Sequence, residues 1–195
     1  MELLYHDPHL AVCVKPVGID SEHGMPKALT EMLGGDFYCI HRLDRNVAGV
    51  MVYARDRVTA AHLSRAVAEG QTVKEYVALV HGTPPEEGQF TDLLFKDAKK
   101  NKVFVVNRPR QGVREARLSY IRLRAGDPSL VRIRLETGRS HQIRVQFASR
   151  KYPLVGDRKY GARDDAPTPM LYACALTFPY AGKPHTFTSL PAWAE

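Results

Sequence analysis

Short apolar runs and two-residue alternation, punctuated by Gly and Pro, make up most of this chain, so strands outnumber helices in the predicted pattern. Residues 10–14 are apolar and run into Lys15-Pro16-x-Gly18, which predicts a strand entering a turn. Residues 49–54 are continuously apolar, the pattern of a strand covered on both faces. In residues 73–81, Lys74, Tyr76, Ala78 and Val80 share one face and Val73, Glu75, Val77 and Leu79 the other. Residues 115–124 and 130–136 predict two antiparallel strands around Ala125-Gly-Asp-Pro128. The second of them points Val131, Ile133 and Leu135 one way and Arg132 and Arg134 the other. A last apolar strand covers 170–178 and meets a turn at 180–184.

Helical signals are few. Residues 26–33 predict a short helix stopped by Gly34-Gly35. Asp56 caps a second that runs to Glu69, with Ala60, Leu63 and Val67 on one face and Gly70 as the stop. Ser140 caps a third over 141–149. Residues 96–112 are basic and predict an extended hairpin or a mobile loop, in which 103–106 can pair as a strand. With no repeat, low-complexity tract or linker, the expectation is an α+β fold. It is a single domain, 1–195, on a mostly antiparallel mixed sheet with flanking helices.

Composition narrows the class. Apolar residues at 44% and charged residues at 25% exclude a mainly disordered chain. No apolar run approaches the roughly 18 residues of a membrane span, and no basic stretch precedes an apolar leader. Cys13, Cys39 and Cys174 are far apart and lack zinc-type spacing, so reduced thiols and a cytoplasmic location are expected, without a metal. The net charge of +7 is unevenly spread. Residues 96–163 hold 19 Lys/Arg against five acids, a local net of +14, which leaves the remainder at −7. A positive surface of that strength points to a polyanion, RNA or DNA.

Two segments put charge where the pattern predicts burial: His41-Arg42-Leu43-Asp44-Arg45, and Gly138-Arg139-Ser140-His141-Gln142-Ile143-Arg144 at a strand-to-helix junction. A carboxylate and a guanidinium brought together in a cleft keep the acid ionised against desolvation, and an ionised, oriented Asp serves as nucleophile or general base. Taken singly, Asp44 reads as a salt-bridge or capping residue and Arg139 as an anion clamp. His41 and His141 have no third ligand at metal spacing, so both read as hydrogen-bonding side chains. Tyr76 reads as a strand aromatic, or as a face on which an RNA base stacks.

Taken together, these segments resemble the RluA-type RNA pseudouridine synthases. The resemblance rests on His41-Arg-Leu-Asp44 followed by Gly49 and an apolar strand, and on four further motifs in the family's order. These are Lys15-Pro16-x-Gly18, Lys74-x-Tyr76-x-Ala78-x-Val80-x-Gly82, Leu135-x-Thr-Gly-Arg-x-His-Gln-Ile-Arg144 and Gly156-Asp157-x-x-Tyr160-Gly161. Leu171-x-Ala-x-x-Leu-x-Phe178 fits its closing strand, so the likeness runs from about Leu10 to the C-terminus. It implies the pseudouridine synthase fold with a central active-site cleft, acting on ribosomal or transfer RNA as a monomer, with neither metal nor organic cofactor. It implies Asp44 as the catalytic carboxylate, attacking the ribose or assisting cleavage through a glycal. Tyr76 is implied to pack on the uracil, Arg139 to pair with the Asp, Arg42 to extrude the nucleotide and Leu171 to floor the base. His41, Lys74, Gln142, Arg144, Lys99, Lys100 and Lys102 complete the expected RNA-contacting set. Val47-Ala48 stands where the family has Thr-Ser, and Tyr172 where it commonly has His. The family often carries an N-terminal S4-type domain, and only about nine residues precede the first motif here. Substrate choice is therefore expected to rest on the catalytic domain, through the segment from Lys96 to Arg117. The competing reading is an RNA-binding or chaperone protein on the same fold without turnover, and a weaker one is a metal-dependent hydrolase using His41 and Asp44.

Overall fold

A computed structural model describes residues 1–195. The chain forms two compact units, one of residues 1–74 with 172–193 and the other of residues 75–171. In the first, β1 (Glu2–His6), β2 (Leu10–Lys15), β4 (Ala48–Ala54) and β10 (Leu171–Tyr180) lie side by side in that order, with β3 (Tyr38–Cys39) on β4 and β11 (Lys183–Thr188) on β10. Every pairing is antiparallel except β4 with β10, which are parallel at Tyr172 opposite Ala48 and Ala173 opposite Gly49. Helix α1 (Gly24–Leu33) begins two residues earlier than its apolar spacing suggests, and Gly34 ends it at a positive φ.

Helix α2 (Arg57–Ala68) is capped as expected, with Asp56 accepting from the Thr59 amide. It buries Leu63 and Ala66, while Ala60 and Val67 are only half-buried. Leu63 meets Leu10, Val12, Val50, Val52, Leu176 and Phe178 in the unit's core. Each such side chain contributes about 1.5–3 kcal/mol on burial.

The second unit is a sheet in the order β5 (Val73–Val80), β9 (Ser129–Leu135), β8 (Val113–Arg124), β6 (Glu87–Asp97), β7 (Lys102–Val106), with helix α3 (Gln142–Ser149). Val131 and Ile133 are buried while Arg132 and Arg134 are exposed, as alternation requires. The basic stretch is a hairpin, with β6 and β7 pairing from Leu93 opposite Val106 to Asp97 opposite Lys102. Ser140 is not the cap of α3. His141 takes the position in a left-handed conformation, without a side-chain cap bond.

Gly49 marks the closest approach in the first unit. Its φ is +134°, and a Cβ there would lie 2.4 Å from the carbonyl oxygen of Ala173. Only the bare backbone lets β4 and β10 pair at that register. Gly49→Ala is therefore expected to destabilise the fold by about 2–3 kcal/mol through overpacking and strain. Urea unfolding of the variant beside wild type measures it, and an unchanged midpoint would contradict the packing described.

Candidate active site

Asp44 lies in an irregular loop between β3 and β4, and the chain on either side of it is pinned. On the N-terminal side, the buried Ser21 hydroxyl donates to the Leu43 carbonyl at 2.9 Å and accepts from the Leu43 amide at 3.2 Å. On the C-terminal side, the Arg45 carbonyl accepts from the Gly18 amide at 2.8 Å and from Lys15 Nζ at 3.3 Å. Arg45 Nε returns a bond to the Gly18 carbonyl at 2.7 Å. The Val47 amide closes the turn on the Asp44 carbonyl at 2.9 Å. Lys15-Pro16-x-Gly18 is thus the cradle of the Asp44 loop. Neither Ser21 nor the role of Lys15 was legible in advance. Lys15 did carry one signal, a charge at the end of an otherwise apolar run.

Lys15 has no solvent exposure. Nζ also donates to the Pro16 and Ile19 carbonyls, each at 2.9 Å, so three carbonyls replace its hydration shell. Burial lowers its pKa to about 8, with Asp20 and Asp44 acting in the opposite direction. At neutral pH a buried ammonium therefore sits in the electrostatic field of the Asp44 carboxylate.

The neighbours of Asp44 differ sharply. Arg42 is exposed and pairs with Glu22 at 3.1 Å, a surface pair worth no more than about 1 kcal/mol and readily exchanged for another partner. His41 is half-buried, and its Nε2 is sealed from solvent without a hydrogen-bond partner. Its carbonyl accepts from Cys39 Sγ at 3.0 Å. Burial, with the Lys74 charge adding to it, pulls its pKa to about 3, so the ring is neutral. The thiols of Cys13 and Cys39 are pushed up by burial, to about 12 and about 11, and both are unreactive at neutral pH.

In the second unit Tyr76 is buried on β5, and Leu171 is buried at the start of β10. Arg139 is exposed but oriented. Its Nε donates to the Glu115 carbonyl at 2.9 Å, a bond that does not use the terminal nitrogens, and its amide donates to Gln142 Oε1 at 3.0 Å. Gln142 also accepts from the Thr137 hydroxyl at 2.8 Å and donates to the Arg117 carbonyl at 2.9 Å.

Gln142 and Arg144, both in the expected RNA-contacting set, are buried on α3. Arg144 makes a two-pronged pair with buried Asp157 at 2.7 and 2.8 Å, and its guanidinium lies 5.2 Å from the Tyr160 ring centre. Tyr160 in turn accepts from the Val103 amide at 2.9 Å and bonds His141 Nδ1 at 2.8 Å, which ties β7 to α3. Lys102 stacks over Phe104 and Tyr160, while Lys99 and Lys100 project from the exposed hairpin tip. No group of three or more His, Cys, Asp or Glu side chains is placed to hold a metal ion. No helix is long and apolar enough to cross a membrane.

The sequence pattern of the family described as RNA pseudouridylate synthase matches residues 9–149, which include Asp44, Tyr76 and Arg139. The chain belongs to that family. It is 33% identical to the dual-specificity RNA pseudouridine synthase RluA of Escherichia coli (strain K12) over 205 residues, covering 95% of this chain and 90% of that one. The ribosomal large subunit pseudouridine synthase C of Buchnera aphidicola subsp. Acyrthosiphon pisum (strain APS) is 32% identical over 171 residues, 83% of this chain. That match takes in 54% of the relative, so the chain spans about half the length of several curated relatives it matches. Among solved structures, human RNA Pseudouridylate Synthase Domain Containing 1 has the same fold, with a TM-score of 0.85 at 23% identity over 97% of this chain and 83% of that one. The α+β, mostly antiparallel architecture is that of the family.

The cradle yields a test with a definite sign. Lys15 has a folded pKa of about 8 against an ordinary 10.5, so between those values the unfolded chain binds more protons. Its contribution to stability therefore rises with pH across that window, by at most about 3 kcal/mol. Lys15→Met is expected to be less stable at pH 7, since three carbonyls lose their donor, and to lack this rise. Urea unfolding of both proteins from pH 7 to 10.5 isolates the difference. Parallel curves would mean that Lys15 is not the buried cation described.

Proposed function

We propose that this chain isomerises a uridine to pseudouridine in a structured RNA, a stem-loop of ribosomal or transfer RNA. The observation that carries the reading is a family-pattern Asp whose flanking peptides are fixed from both sides. A reacting carboxylate must be held in one place while substrate comes and goes, and hydrogen bonds to residues 43 and 45 supply that without using the carboxylate itself.

Asp44 is the catalytic carboxylate, acting at the ribose or assisting glycosidic cleavage. The bond from ribose C1′ to uracil N1 breaks, the base turns in place and C1′ rejoins through C5. The proton leaves C5 and N1 ends protonated, so the reaction balances as an isomerisation with no cofactor. Tyr76 packs on the uracil and Leu171 floors it, and a buried aromatic and a buried aliphatic residue suit a base that must be shielded from water while detached. Arg139 is the guanidinium partner of the carboxylate, a role that suits terminal nitrogens not used in its Glu115 bond. Arg42, in an exposed and weak ion pair, is suited to exchange Glu22 for RNA and fill the space of the extruded nucleotide. Lys99, Lys100 and Lys102 supply phosphate contacts from the hairpin. The chain works as a monomer in a reducing compartment, the cytoplasm, which fits three cysteines that form no disulfide.

Pseudouridine mapping with a carbodiimide reagent, on total RNA from cells with and without this protein, is expected to reveal one lost site. On that RNA, Asp44→Asn is expected to lower product formation by at least about a hundredfold, with affinity changed less than about threefold. Undiminished product from Asp44→Asn would refute the assignment.

The hairpin gives a separate expectation. Neutralising Lys99, Lys100 and Lys102 together lowers the slope of log affinity against log salt by about two to three, since each phosphate contact releases close to one counterion. Filter binding from 50 to 300 mM salt, about the range in which such slopes are resolved, measures it. An unchanged slope removes the hairpin from the RNA interface.

A further inference from the structure

The hairpin of β6 and β7 has two unlike faces. Leu94, Val103 and Val105 turn inward and pack with Ala116 and Val145. The register sets Phe95 opposite Phe104, and Leu93 opposite Val106, on the other face. Phe104 is 36% exposed there, on the strand that ends the sheet. An aromatic side chain on an open edge invites association with other chains, and a charged residue is the usual choice for such a position. Folding alone does not account for it.

Arg110 lies across the neighbouring ring. The Val113 amide donates to the Arg110 carbonyl at 3.0 Å, and this turn returns the chain to β8 with Val113 opposite Phe95. Gly112, at a φ of +82°, keeps the turn close, since a Cβ there would already lie 3.7 Å from the Phe95 ring. The guanidinium carbon of Arg110 sits 4.3 Å from the centre of Phe95, the spacing of a cation laid flat on a ring. Its nitrogens make no hydrogen bond or ion pair. Residues 96–114 offer it no counter-charge, for they hold seven Lys/Arg and one acid, Asp97, which accepts from the Lys100 amide at 3.0 Å. A planar cation with unused donors and an exposed aromatic ring thus flank the same Phe95.

We infer that Phe104 and Arg110 form a stacking site for an unpaired nucleobase of the bound RNA, one other than the uridine that reacts. The inference rests on the RNA-modifying reading and adds base recognition to a hairpin otherwise given only phosphate contacts. A base presents a π-face to the Phe104 ring and acceptors on its edge to the guanidinium, which Phe95 holds flat. The positive charge around the pair draws the polyanion to it. Stacking neutralises no phosphate and so releases no counterion, which separates this site from Lys99, Lys100 and Lys102. A fully paired helix hides the faces of its bases, so the site selects RNA with an unpaired nucleotide within reach of the hairpin.

Single-stranded oligoadenylate, which has base faces and no pairing, is the first probe. Phe104→Ala is expected to bind it about tenfold more weakly than wild type, the loss of one base–aromatic stack, with the slope of log affinity against log salt unchanged. Arg110→Lys keeps the charge and loses the plane, and is expected to bind about threefold more weakly at the same slope. Phe104→Trp is expected to keep wild-type affinity, and its added indole to be quenched on binding beyond any change at Trp193 in wild type. Because Phe104 is exposed, Phe104→Ala is expected to keep the wild-type urea midpoint; if it does not, quenching in Phe104→Trp decides alone. The second arm takes the stem-loop found by pseudouridine mapping and makes its unpaired nucleotides abasic one at a time. One position besides the target is expected to weaken wild-type binding about tenfold and to leave Phe104→Ala indifferent. Wild-type affinity in Phe104→Ala, a reduced salt slope in that variant, or an unquenched indole in Phe104→Trp overturns the inference. An abasic effect in an RNA that is bound but never modified overturns the isomerase reading and sustains the site.

Discussion

The position of Asp44 depends on a lysine that water does not reach. Lys15 spends its three donors on the carbonyls of Pro16, Ile19 and Arg45, and so fastens the turn after β2 to the peptide that follows the carboxylate. Removing a cation from water is costly, and here carbonyl dipoles and the field of Asp20 and Asp44 offset part of that cost. What results is positional. Ser21 holds residue 43 and Lys15 with Gly18 holds residue 45, so the residue between them has little freedom to move except in its own side chain. An apolar packing of the same volume could stabilise the loop as well, but it would not specify where each carbonyl points.

The second unit uses the same device in a helix. Residues 142–147 of α3 are all buried, although Gln142, Arg144 and Gln146 are polar. Gln142 orders the Arg139 turn, Arg144 neutralises Asp157, and Gln146 donates to Asp92 at 2.7 Å. Asp92 also receives both terminal nitrogens of Arg150. A helix buried through polar contacts is sensitive to the loss of any one of them, because each removal leaves an unmatched group behind.

That chemistry explains where sequence reading succeeded and where it stopped. Strands β2 and β4 and the cap at Asp56 were legible because apolar burial and a local side-chain bond decide them. Strand β6 went unread since Asp92 occupies an inward position between Phe90 and Leu94, where alternation demands an apolar residue. Strands β1 and β11 pair on one side only and carry weak patterns, β11 with Pro184 inside it. At α3, Ser140 looked like a cap, but the turn that orders Arg139 forces His141 to a φ of 50° and so moves the start. Asp44, Tyr76 and Arg139 were legible as motif members. Which motif residues face inward was not, because a motif records that a residue type is required and not which neighbour requires it.

Within each unit, several of the motifs contact one another. Lys15-Pro16-x-Gly18 exists to hold the loop of His41-Arg-Leu-Asp44, and Gln142-Ile-Arg144 meets Asp157-x-x-Tyr160 through one buried ion pair and one ring. This accounts for the two places where the chain departs from its relatives. Val47 contributes to the loop through its amide, which bonds the Asp44 carbonyl, while its side chain is simply buried. A backbone donor is present whatever the residue, so the family's Thr is dispensable for closing this turn. Tyr172 is buried and bonds its hydroxyl to Ser189 at 2.8 Å, so the polar tip that a His would have brought is still matched. Departures are tolerated where the backbone does the bonding or where a new partner is at hand. They are not expected at Lys15, Arg144 or Asp157, where a change would strand a charge or a carbonyl with nothing to replace it.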